Sequence, residues 1–325
     1  MTFTKKQPIN TLKDSQLVDD IFVVKIKRGI SPYKKGQSFQ LILSDSSGQT
    51  IDYKYWGGTD LDPIQELYDS IKADSVVYVK GRVSPYNGKL QISSNDLADI
   101  RPLESNEYDQ GEFVKKAKRD VDDMYSEILT IISSVSDLAL KEMLHSIYTD
   151  SNLVEKIKTH PAAIEIHHNW VGGLMQHTLE MVRYCELTAK IHPSLNRDIL
   201  IAGALLHDIG KIEELEVTSR IKGTPKGQLL GHIPIGFSFV TKKMDDFKVD
   251  EGLRNKILHI IVSHHGKLEF GSPKTPMLPE AIVVYYADEM SSRVTEMIDF
   301  IEENREITED DFMYDRRKGH NIFLR

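Results

Sequence analysis

A run of apolar residues in the middle of the chain ends directly on a histidine and an aspartate. Residues 198–206 have the apolar spacing of a buried helix, and His207 and Asp208 follow at once. The apolar positions are Ile199, Leu200, Ala202, Leu205 and Leu206. An imidazole and a carboxylate buried side by side are costly unless a cation or a dense hydrogen-bond network satisfies them. The sequence therefore predicts that this helix delivers a polar pair to an internal site, and a metal ion would satisfy the pair.

Other residues with metal-binding side chains lie on both sides of this pair. They are His177, His232, His264, His265 and Asp288. Imidazole and carboxylate together suit a divalent transition metal, and five such clusters within residues 177–288 are hard to explain as coincidence. The second half of the chain is therefore predicted to be a metal-dependent hydrolase.

Taken singly, most of these residues also have an ordinary structural explanation. His232 follows Gly231 at the start of a predicted helix, where a capping or surface histidine is common. His264 and His265 close another predicted helix, where a histidine favours the helix dipole. Asp288 lies inside an apolar helix, where the dipole gives no reason for an acid. Taken together, the set favours a metal site.

Composition is that of an ordinary globular chain with room for two domains. Of its 325 residues, 40% are hydrophobic and 28% are charged. Cys185 is the only cysteine, which excludes an intrachain disulfide and a cysteine-based zinc site. No apolar run approaches the roughly 18 residues of a membrane helix, and the N-terminus lacks the apolar stretch of a secretion signal. We expect a cytoplasmic protein with no membrane partner.

The net charge of −8 is unevenly spread along the chain. Residues 1–100 hold 13 basic and 12 acidic side chains, so the acidic excess lies in the half that carries the ligand candidates. The net charge therefore does not exclude a nucleic-acid-binding surface in the first half of the chain.

Short β-rich segments dominate the first hundred residues. Five predicted strands cover residues 21–27, 37–44, 50–56, 76–83 and 89–92. Turn signals separate them, including the two-residue hairpin signal Asn87-Gly88. Residues 63–72 have the spacing of a short helix between the third and fourth strands. This layout resembles the OB-fold of the anticodon-binding and single-strand-binding type, an all-β barrel.

The resemblance implies a surface for single-stranded nucleic acid, where bases stack on aromatic rings and basic side chains follow the backbone. The candidate residues in the third strand and around the first loop are Tyr53, Lys54, Tyr55, Trp56, Lys34 and Lys35. The alternative is that alternate aromatic residues fill the barrel and that the lysines only solvate its outside. The sequence leaves both interpretations open.

Beyond the barrel, the chain becomes helical. Residues 101–111 are a polar linker, and residues 112–165 carry two apolar stripes of helical period that predict a helical connector. Residues 166–305 form the predicted all-α metal domain, and residues 306–325 form a C-terminal tail, acidic and then basic.

His177, His207-Asp208 and Asp288 match the H…HD…D signature of the HD-domain metal phosphohydrolases, an all-helical superfamily. The additional His232 and His264-His265 resemble the subgroup that binds two metal ions. That resemblance implies one ion on His177, His207, Asp208 and Asp288. It implies a second ion on Asp208, His232 and either His264 or His265.

Two such ions, about 3.5 to 4 Å apart, activate a water molecule and hold phosphate oxygens, so phosphoester hydrolysis is the expected reaction. Besides Asp208, the catalytic candidate is Lys211, which could stabilise a phosphate oxygen or could merely be solvated. His167 and His168 precede a helix N-terminus, where a substrate phosphate could bind.

The whole chain resembles the YhaM family of bacterial exoribonucleases, including Gly231-His232-Ile233 and residues 264–273. The resemblance implies 3′-to-5′ digestion of single-stranded RNA, and of single-stranded DNA. Manganese is the favoured ion, with Fe²⁺, Mg²⁺ or Co²⁺ as alternatives. The oligomeric state is left open, with a homo-oligomer as one alternative. Two other functions remain: hydrolysis of cyclic dinucleotides or nucleotides, and strand binding without catalysis. Cyclic-dinucleotide enzymes carry Gly-Tyr-Pro after their paired histidines, whereas Gly266-Lys267-Leu268 follows here.

Overall fold

A computed structural model describes residues 2–104, 106–164, 167–306 and 308–325. The chain divides into two compact units. Unit 1 comprises the chain up to residue 115 together with Val217–Arg220, and unit 2 comprises Lys116–Glu216 and Ile221–Arg325. Among the described residues, no helix combines the length and apolarity needed to cross a membrane.

Unit 1 is built on a six-stranded sheet. Its strands are β1 (Leu17–Tyr33), β2 (Gly36–Ser44), β3 (Thr50–Trp56), β4 (Val76–Tyr86), β5 (Lys89–Ser94) and β6 (Ile100–Pro102). The helix α1 (Asp62–Ser70) connects β3 to β4. The strand order is β1-β2-β3-β5-β4-β6, and β1 also pairs with β4, so five of the strands are paired in a closed ring. The prediction of a β-rich N-terminal region is confirmed.

The long strand β1 makes the closed pairing possible because it changes partner along its length. Its first residues pair with β4 as far as Val23, and β2 takes over from Val23 to Tyr33. The register shifts twice in the second stretch, and such irregularities bend a strand. The β4–β5 hairpin closes at Asn87 and Gly88, both with positive φ, as the sequence signal predicts.

Unit 2 is predominantly helical. Its helices are α2 (Val121–Ser133), α3 (Leu138–Tyr148), α4 (Val154–Thr159), α5 (Gly173–Ile191), α6 (Arg197–Leu206), α7 (Lys211–Glu214), α8 (Pro225–Leu230), α9 (His232–Asp246), α10 (Glu251–Ser263) and α11 (Pro279–Asn304). The central element is α6, which is buried from Ile199 to Leu206 and contacts α5, α10 and α11. At Gly203, an added Cβ would lie 3.0 Å from Ile260 and 3.2 Å from Val284, so α10 and α11 approach α6 closely at this position.

The second half of the chain is not entirely α-helical. Two small hairpins join β7 (Leu215–Val217) to β8 (Ile221–Gly223) and β9 (Phe312–Asp315) to β10 (His320–Phe323). The expectation of an all-α domain is corrected here, because strands of three or four residues are too short to show an alternating pattern in the sequence.

The first turn of α6 tests how strongly this helix depends on its cap. The Asn196 side-chain oxygen accepts hydrogen bonds from the backbone N–H groups of Asp198 and Ile199, at 3.0 and 3.2 Å. Asn196→Ala should lower the free energy of unfolding by about 1 kcal/mol, because these donors lose their partner. Urea denaturation measures the change. Asn196→Asp keeps the acceptor and should unfold like the wild type, so equal destabilisation of both variants would contradict the capping role.

Candidate metal centre

Five helices of unit 2 deliver the candidate ligands to one place. His177 lies on α5, while His207 caps α6 and is followed directly by Asp208. The other four candidates are His232 at the first position of α9, His264 and His265 at the end of α10, and Asp288 on α11. Their ligand atoms form two groups that could each hold a metal ion, one of His177, His207 and Asp288, the other of His232, His264 and His265.

In the first group, the ring nitrogen Nε2 of His177 is the central atom. It lies 3.2 Å from Nε2 of His207 and 3.3 Å from Oδ1 of Asp288. Both imidazoles are fully buried, whereas 18% of the surface of the Asp288 side chain is exposed to solvent. The group is therefore a closed set of donors with one carboxylate at its edge.

Asp208 faces both groups, one oxygen to each. Its Oδ2 lies 3.4 Å from Nε2 of His207 and 3.7 Å from Nε2 of His177. Its Oδ1 lies 3.5 Å from Nε2 of His232 and 3.6 Å from Nε2 of His264. A carboxylate can bridge two cations in this way, so Asp208 is placed to be a shared ligand.

Backbone carbonyls fix the protonation pattern of three of the imidazoles. Nδ1 of His207 donates to the Ala204 carbonyl at 2.9 Å, and Nδ1 of His264 donates to the Ile261 carbonyl at 2.8 Å. Nδ1 of His265 donates likewise to the Phe270 carbonyl at 3.0 Å. A carbonyl can only accept, so the hydrogen of each neutral ring is on Nδ1 and the lone pair of Nε2 points into the site.

Side chains hold the other two imidazoles. Nδ1 of His232 lies 3.0 Å from the Glu214 carboxylate, which also accepts from the His232 backbone N–H. Nδ1 of His177 lies 3.0 Å from the Ser291 hydroxyl, which in turn donates to Glu180 at 2.7 Å. Partners of this kind orient metal-bound histidines and raise their basicity. All five rings therefore present Nε2 to the site.

Three buried atoms of the site have no hydrogen-bond partner within the described chain: Asp208 Oδ1, His232 Nε2 and His264 Nε2. With the tautomers fixed as above, His264 Nε2 has no hydrogen to donate to Oδ1, so lone pairs face one another. Each unsatisfied buried group costs roughly 1–3 kcal/mol. A cation between them removes the penalty, and the mixture of imidazole and carboxylate is typical of divalent transition-metal sites. The residues present therefore fit a divalent ion.

The charges of the site balance around Asp208. Burial works to raise the pKa of Asp208, but Lys211 and His207 outweigh it and hold the pKa well below its usual range. Burial works to lower the pKa of Lys211, but the Asp208 carboxylate outweighs it and raises the pKa. The two groups are ionised and lie 2.6 Å apart. Lys211 is thus bound to Asp208 and is not a solvated lysine.

Burial also determines which imidazoles stay neutral. It lowers the pKa of His177, His264 and His265, and the neutral ring is the form that binds a metal. For His207, the neighbouring Asp208 outweighs burial and raises the pKa, so this ring is the one that most favours a positive charge at Nε2. A proton or a metal ion can supply that charge.

The two histidines predicted to contact a substrate phosphate differ in position. His168 is fully buried, with Nε2 3.2 Å from Glu180, so it cannot touch a substrate and the prediction is corrected. His167 is half-buried, with its ring 5.9 Å from that of His177, and burial lowers its pKa to about 3. It stays a neutral candidate at the edge of the site.

Sequence reasoning missed three residues behind the ligands: Glu180, Glu214 and Ser291. Two of them carry a signal that could have found them. Glu180 follows His177 by three positions on α5, and Ser291 follows Asp288 by three positions on α11, which places each on the same helix face as a ligand. Glu214 ends the short helix α7 and carries no comparable signal.

In unit 1, the strand β3 separates the predicted base-binding residues. Tyr53 and Tyr55 point into the core with at most 2% of their surface exposed, so the prediction that they stack on bases is corrected. Trp56 lies on the other face with 37% exposed, and the Lys54 ammonium is 5.1 Å from its ring. Lys34 and Lys35 are exposed between β1 and β2. The period-two alternation of a strand accounts for the difference.

Comparison with known proteins agrees with this geometry. A family model described as "HD domain" matches residues 174–293, a range that contains all seven candidate ligands. The chain is also 32% identical over 283 residues to the 3′-5′ exoribonuclease YhaM of Bacillus velezensis, an alignment that covers 86% of each chain.

Glu214 provides a test of the second group of ligands. Its two oxygens accept from two donors of His232, and a glutamine can accept through only one of its two side-chain atoms. Glu214→Gln should therefore weaken the binding of one of two Mn²⁺ ions by roughly 10–100-fold. Isothermal titration of the metal-free protein with Mn²⁺ measures this.

The matched control for that titration is Glu213→Gln. Glu213 is the adjacent residue, but its carboxylate is half-exposed and pairs with Lys226. This variant should bind Mn²⁺ like the wild type. Wild-type affinities in Glu214→Gln would contradict the orienting role of its carboxylate.

Proposed function

The chain belongs to the YhaM family of 3′-5′ exoribonucleases, and from that premise we propose that it removes nucleoside monophosphates one at a time from the 3′ end of single-stranded RNA, and of single-stranded DNA. The observation that carries the proposal is the convergence of four imidazoles, each with Nδ1 occupied by a partner, on the two oxygens of Asp208, with His265 completing the second group. The HD-domain match over the same residues supports it.

We assign the ligands as follows. One divalent ion would be held by His177, His207, Asp208 through Oδ2, and Asp288. The other would be held by Asp208 through Oδ1, His232, His264 and His265. Two such ions, with Mn²⁺ preferred, would lower the pKa of a water molecule and offset the charge that develops on the phosphate oxygens.

Other residues of the chain hold the ligands in the positions that this reaction requires. Lys211 stays charged and fixes Oδ2 of Asp208, so that the bridging carboxylate cannot rotate away from either group. The carbonyls of Ala204, Ile261 and Phe270 hold three rings against rotation. Asp288, His232 and His265 are each partly exposed, so a phosphate can reach both groups of ligands from the solvent.

For unit 1, we propose an OB-fold that guides the strand. The ring of strand pairings β1-β2-β3-β5-β4-β1 and the position of α1 between β3 and β4 support it. The exposed ring of Trp56, with its centroid 4.8 Å from that of Tyr33 and with Lys54 beside it, offers a stacking platform. Lys34 and Lys35 would follow the phosphate backbone. The cytoplasmic location expected from the sequence stays a prediction.

The bridging carboxylate gives the direct test of catalysis. Asp208→Asn keeps the volume of the side chain but removes the charge that two ions would share. In Mn²⁺, the rate at which a 5′-labelled RNA loses nucleoside monophosphates should fall by more than roughly 100-fold, while RNA binding persists. A loss of up to about 100-fold is typical when the residue changed only hydrogen-bonds to a metal ligand. A gel time course of the labelled strand measures it.

Asp246→Asn is the control for that time course, since Asp246 is an exposed carboxylate at the end of α9. It should digest RNA at the wild-type rate. A wild-type protein that binds the labelled strand and never shortens it would overturn the nuclease assignment, and shortening from the 5′ end would overturn its polarity.

The platform of unit 1 is tested by comparing two aromatic residues of the same strand. In the Asp208→Asn background, Trp56→Ala should weaken binding of an RNA oligonucleotide by roughly 1–3 kcal/mol, the contribution of one stacked base. Tyr53→Phe should leave affinity unchanged, because the ring is buried and its hydroxyl contacts Ser94. It should instead reduce stability by about 1 kcal/mol. Fluorescence anisotropy and urea unfolding separate the two effects, and a larger loss of affinity in Tyr53→Phe would refute the platform.

A further inference from the structure

Helix α5 carries a carboxylate that the ligand assignment does not use. Glu180 lies three positions after His177, and its side chain is 26% exposed. Its Oε2 accepts from the Ser291 hydroxyl at 2.7 Å, and its Oε1 accepts from Nε2 of Gln176 at 3.0 Å. Glu180 reaches the metal centre through Ser291, whose hydroxyl lies 3.0 Å from Nδ1 of His177.

The carboxylate of Glu180 sets the direction of these hydrogen bonds. Burial works to raise the pKa of Glu180, but the contacts with His168 and Ser291 outweigh it and lower the pKa to about 2, so the group is ionised at neutral pH. An ionised carboxylate can only accept hydrogen bonds, and a hydroxyl has a single hydrogen to donate. The hydrogen of Ser291 therefore points to Glu180, and the Ser291 oxygen accepts from His177.

This direction decides which ring nitrogen of His177 carries the hydrogen. Since Ser291 accepts, Nδ1 carries it, and Nε2 keeps its lone pair. Nε2 lies 3.2 Å from Nε2 of His207 and 3.3 Å from Oδ1 of Asp288. The opposite tautomer would place a hydrogen among these atoms and would remove His177 from the ligand set. Ser291 and His177 are at most 1% exposed, so bulk solvent does not offer Nδ1 another partner.

We infer that Glu180 is a positioning residue that selects the metal-binding tautomer of His177 through Ser291. The inference rests on the ligands assigned under the proposed function, and it adds that each ion depends on a separate carboxylate behind the site. Glu180 serves the ion on His177, and Glu214 serves the ion on His232.

The neighbours of Glu180 determine what a glutamine does in its place. The indole N–H of Trp170 can only donate, and it donates to Oε1 of Gln176 at 3.2 Å. The amide nitrogen of Gln176 therefore faces Oε1 of Glu180. In Glu180→Gln, the new amide keeps its oxygen at this donor and turns its nitrogen to Ser291. Ser291 then accepts from the amide, its own hydrogen turns to Nδ1 of His177, and the ring changes tautomer.

The tautomer can be read from the ring nitrogen chemical shifts of His177. The full-length, metal-free protein with ¹⁵N-labelled histidine is compared with Glu180→Gln, and the signals of His177 are assigned by their loss in His177→Gln. The hydrogen should be on Nδ1 in the wild type and on Nε2 in Glu180→Gln. A merely structural role of Glu180 would shift the signals without exchanging the two nitrogens. The same tautomer in both proteins would overturn the inference.

Metal binding gives a second readout. In a calorimetric titration with Mn²⁺, Glu180→Gln should bind one of two ions roughly 10–100-fold more weakly than the wild type and the other ion equally well. The unaffected ion reports on folding, because a misfolded protein would lose both. Wild-type affinity for both ions in Glu180→Gln would contradict the role of Glu180. A wild type that binds fewer than two ions would instead refute the ligand assignment on which the inference rests.

Glu186→Gln is the matched control for both measurements. Glu186 lies on the same helix, its side chain is also 26% exposed, and it pairs with Arg197 away from the ligands. This variant should keep the wild-type tautomer of His177 and the wild-type affinity for both ions. A tautomer change in Glu186→Gln would show that any lost charge on α5 has this effect, and the specific role of Glu180 would be wrong.

A double substitution tests whether Glu180 acts through Ser291. Ser291→Ala removes the hydroxyl between the two residues and should by itself weaken the binding of one ion. In that background, Glu180→Gln should cause no further loss, because residues that act through one another are not additive. An additional loss as large as the one in the wild-type background would mean that Glu180 acts by another route.

Discussion

The arrangement of unit 2 depends on one buried carboxylate that has a different set of imidazoles on each side. Asp208 is 96% buried by side chain and ionised, and it lies next to the charged Lys211, whose side chain is 13% exposed. A lone carboxylate at this depth would be strongly destabilising, because burial penalises its charge. The lysine offsets one oxygen, and the other, Oδ1, has no partner among the described residues. Positive charge between Asp208 and the histidines would remove this penalty, and the residues present could hold a metal ion that supplies it.

Two of the histidine ligands lie at helix ends, where a backbone carbonyl is available to hold the ring. The last carbonyls of a helix have no intrahelical donor, so they are free to accept from a side chain. His207 caps α6 and uses the carbonyl three residues earlier, and His264 caps α10 and does the same. A histidine in the middle of a helix would find those carbonyls occupied, and His177, within α5, relies on Ser291 instead. Helix termination thus fixes the tautomer as well as the place of the ligand.

The sequence predicted the ligands better than their surroundings, for physical reasons. His207 and Asp208 stand out because a polar pair after an apolar helix needs a partner wherever the helix packs. Glu214 does not stand out, since a glutamate next to Glu213 looks solvated until the fold turns one inward and leaves the other exposed. Tyr53 and Tyr55 could have been placed correctly, because they share the alternating positions of β3 with the apolar Ile51. Aromatic composition suggested binding, and the alternation of the strand decided otherwise.

The fold was predicted where its elements are long and periodic. The five strands and the major helices were found from their spacing, whereas the two short hairpins were not. The excursion of Val217–Arg220 into unit 1 was equally invisible, because local pattern carries no information about which unit a loop joins. Which unit a segment joins depends on its contacts with residues far away in the sequence, and these contacts are determined by packing.

Helix α11 shows how two demands act on one sequence. Its inner face must supply Asp288 and Ser291 to the site and small residues to the core, which fixes positions 281, 284, 287, 288 and 291. The ligand and the core residues therefore share one face of α11, the face that packs against α5 and α6, so the packing of this helix also positions Asp288.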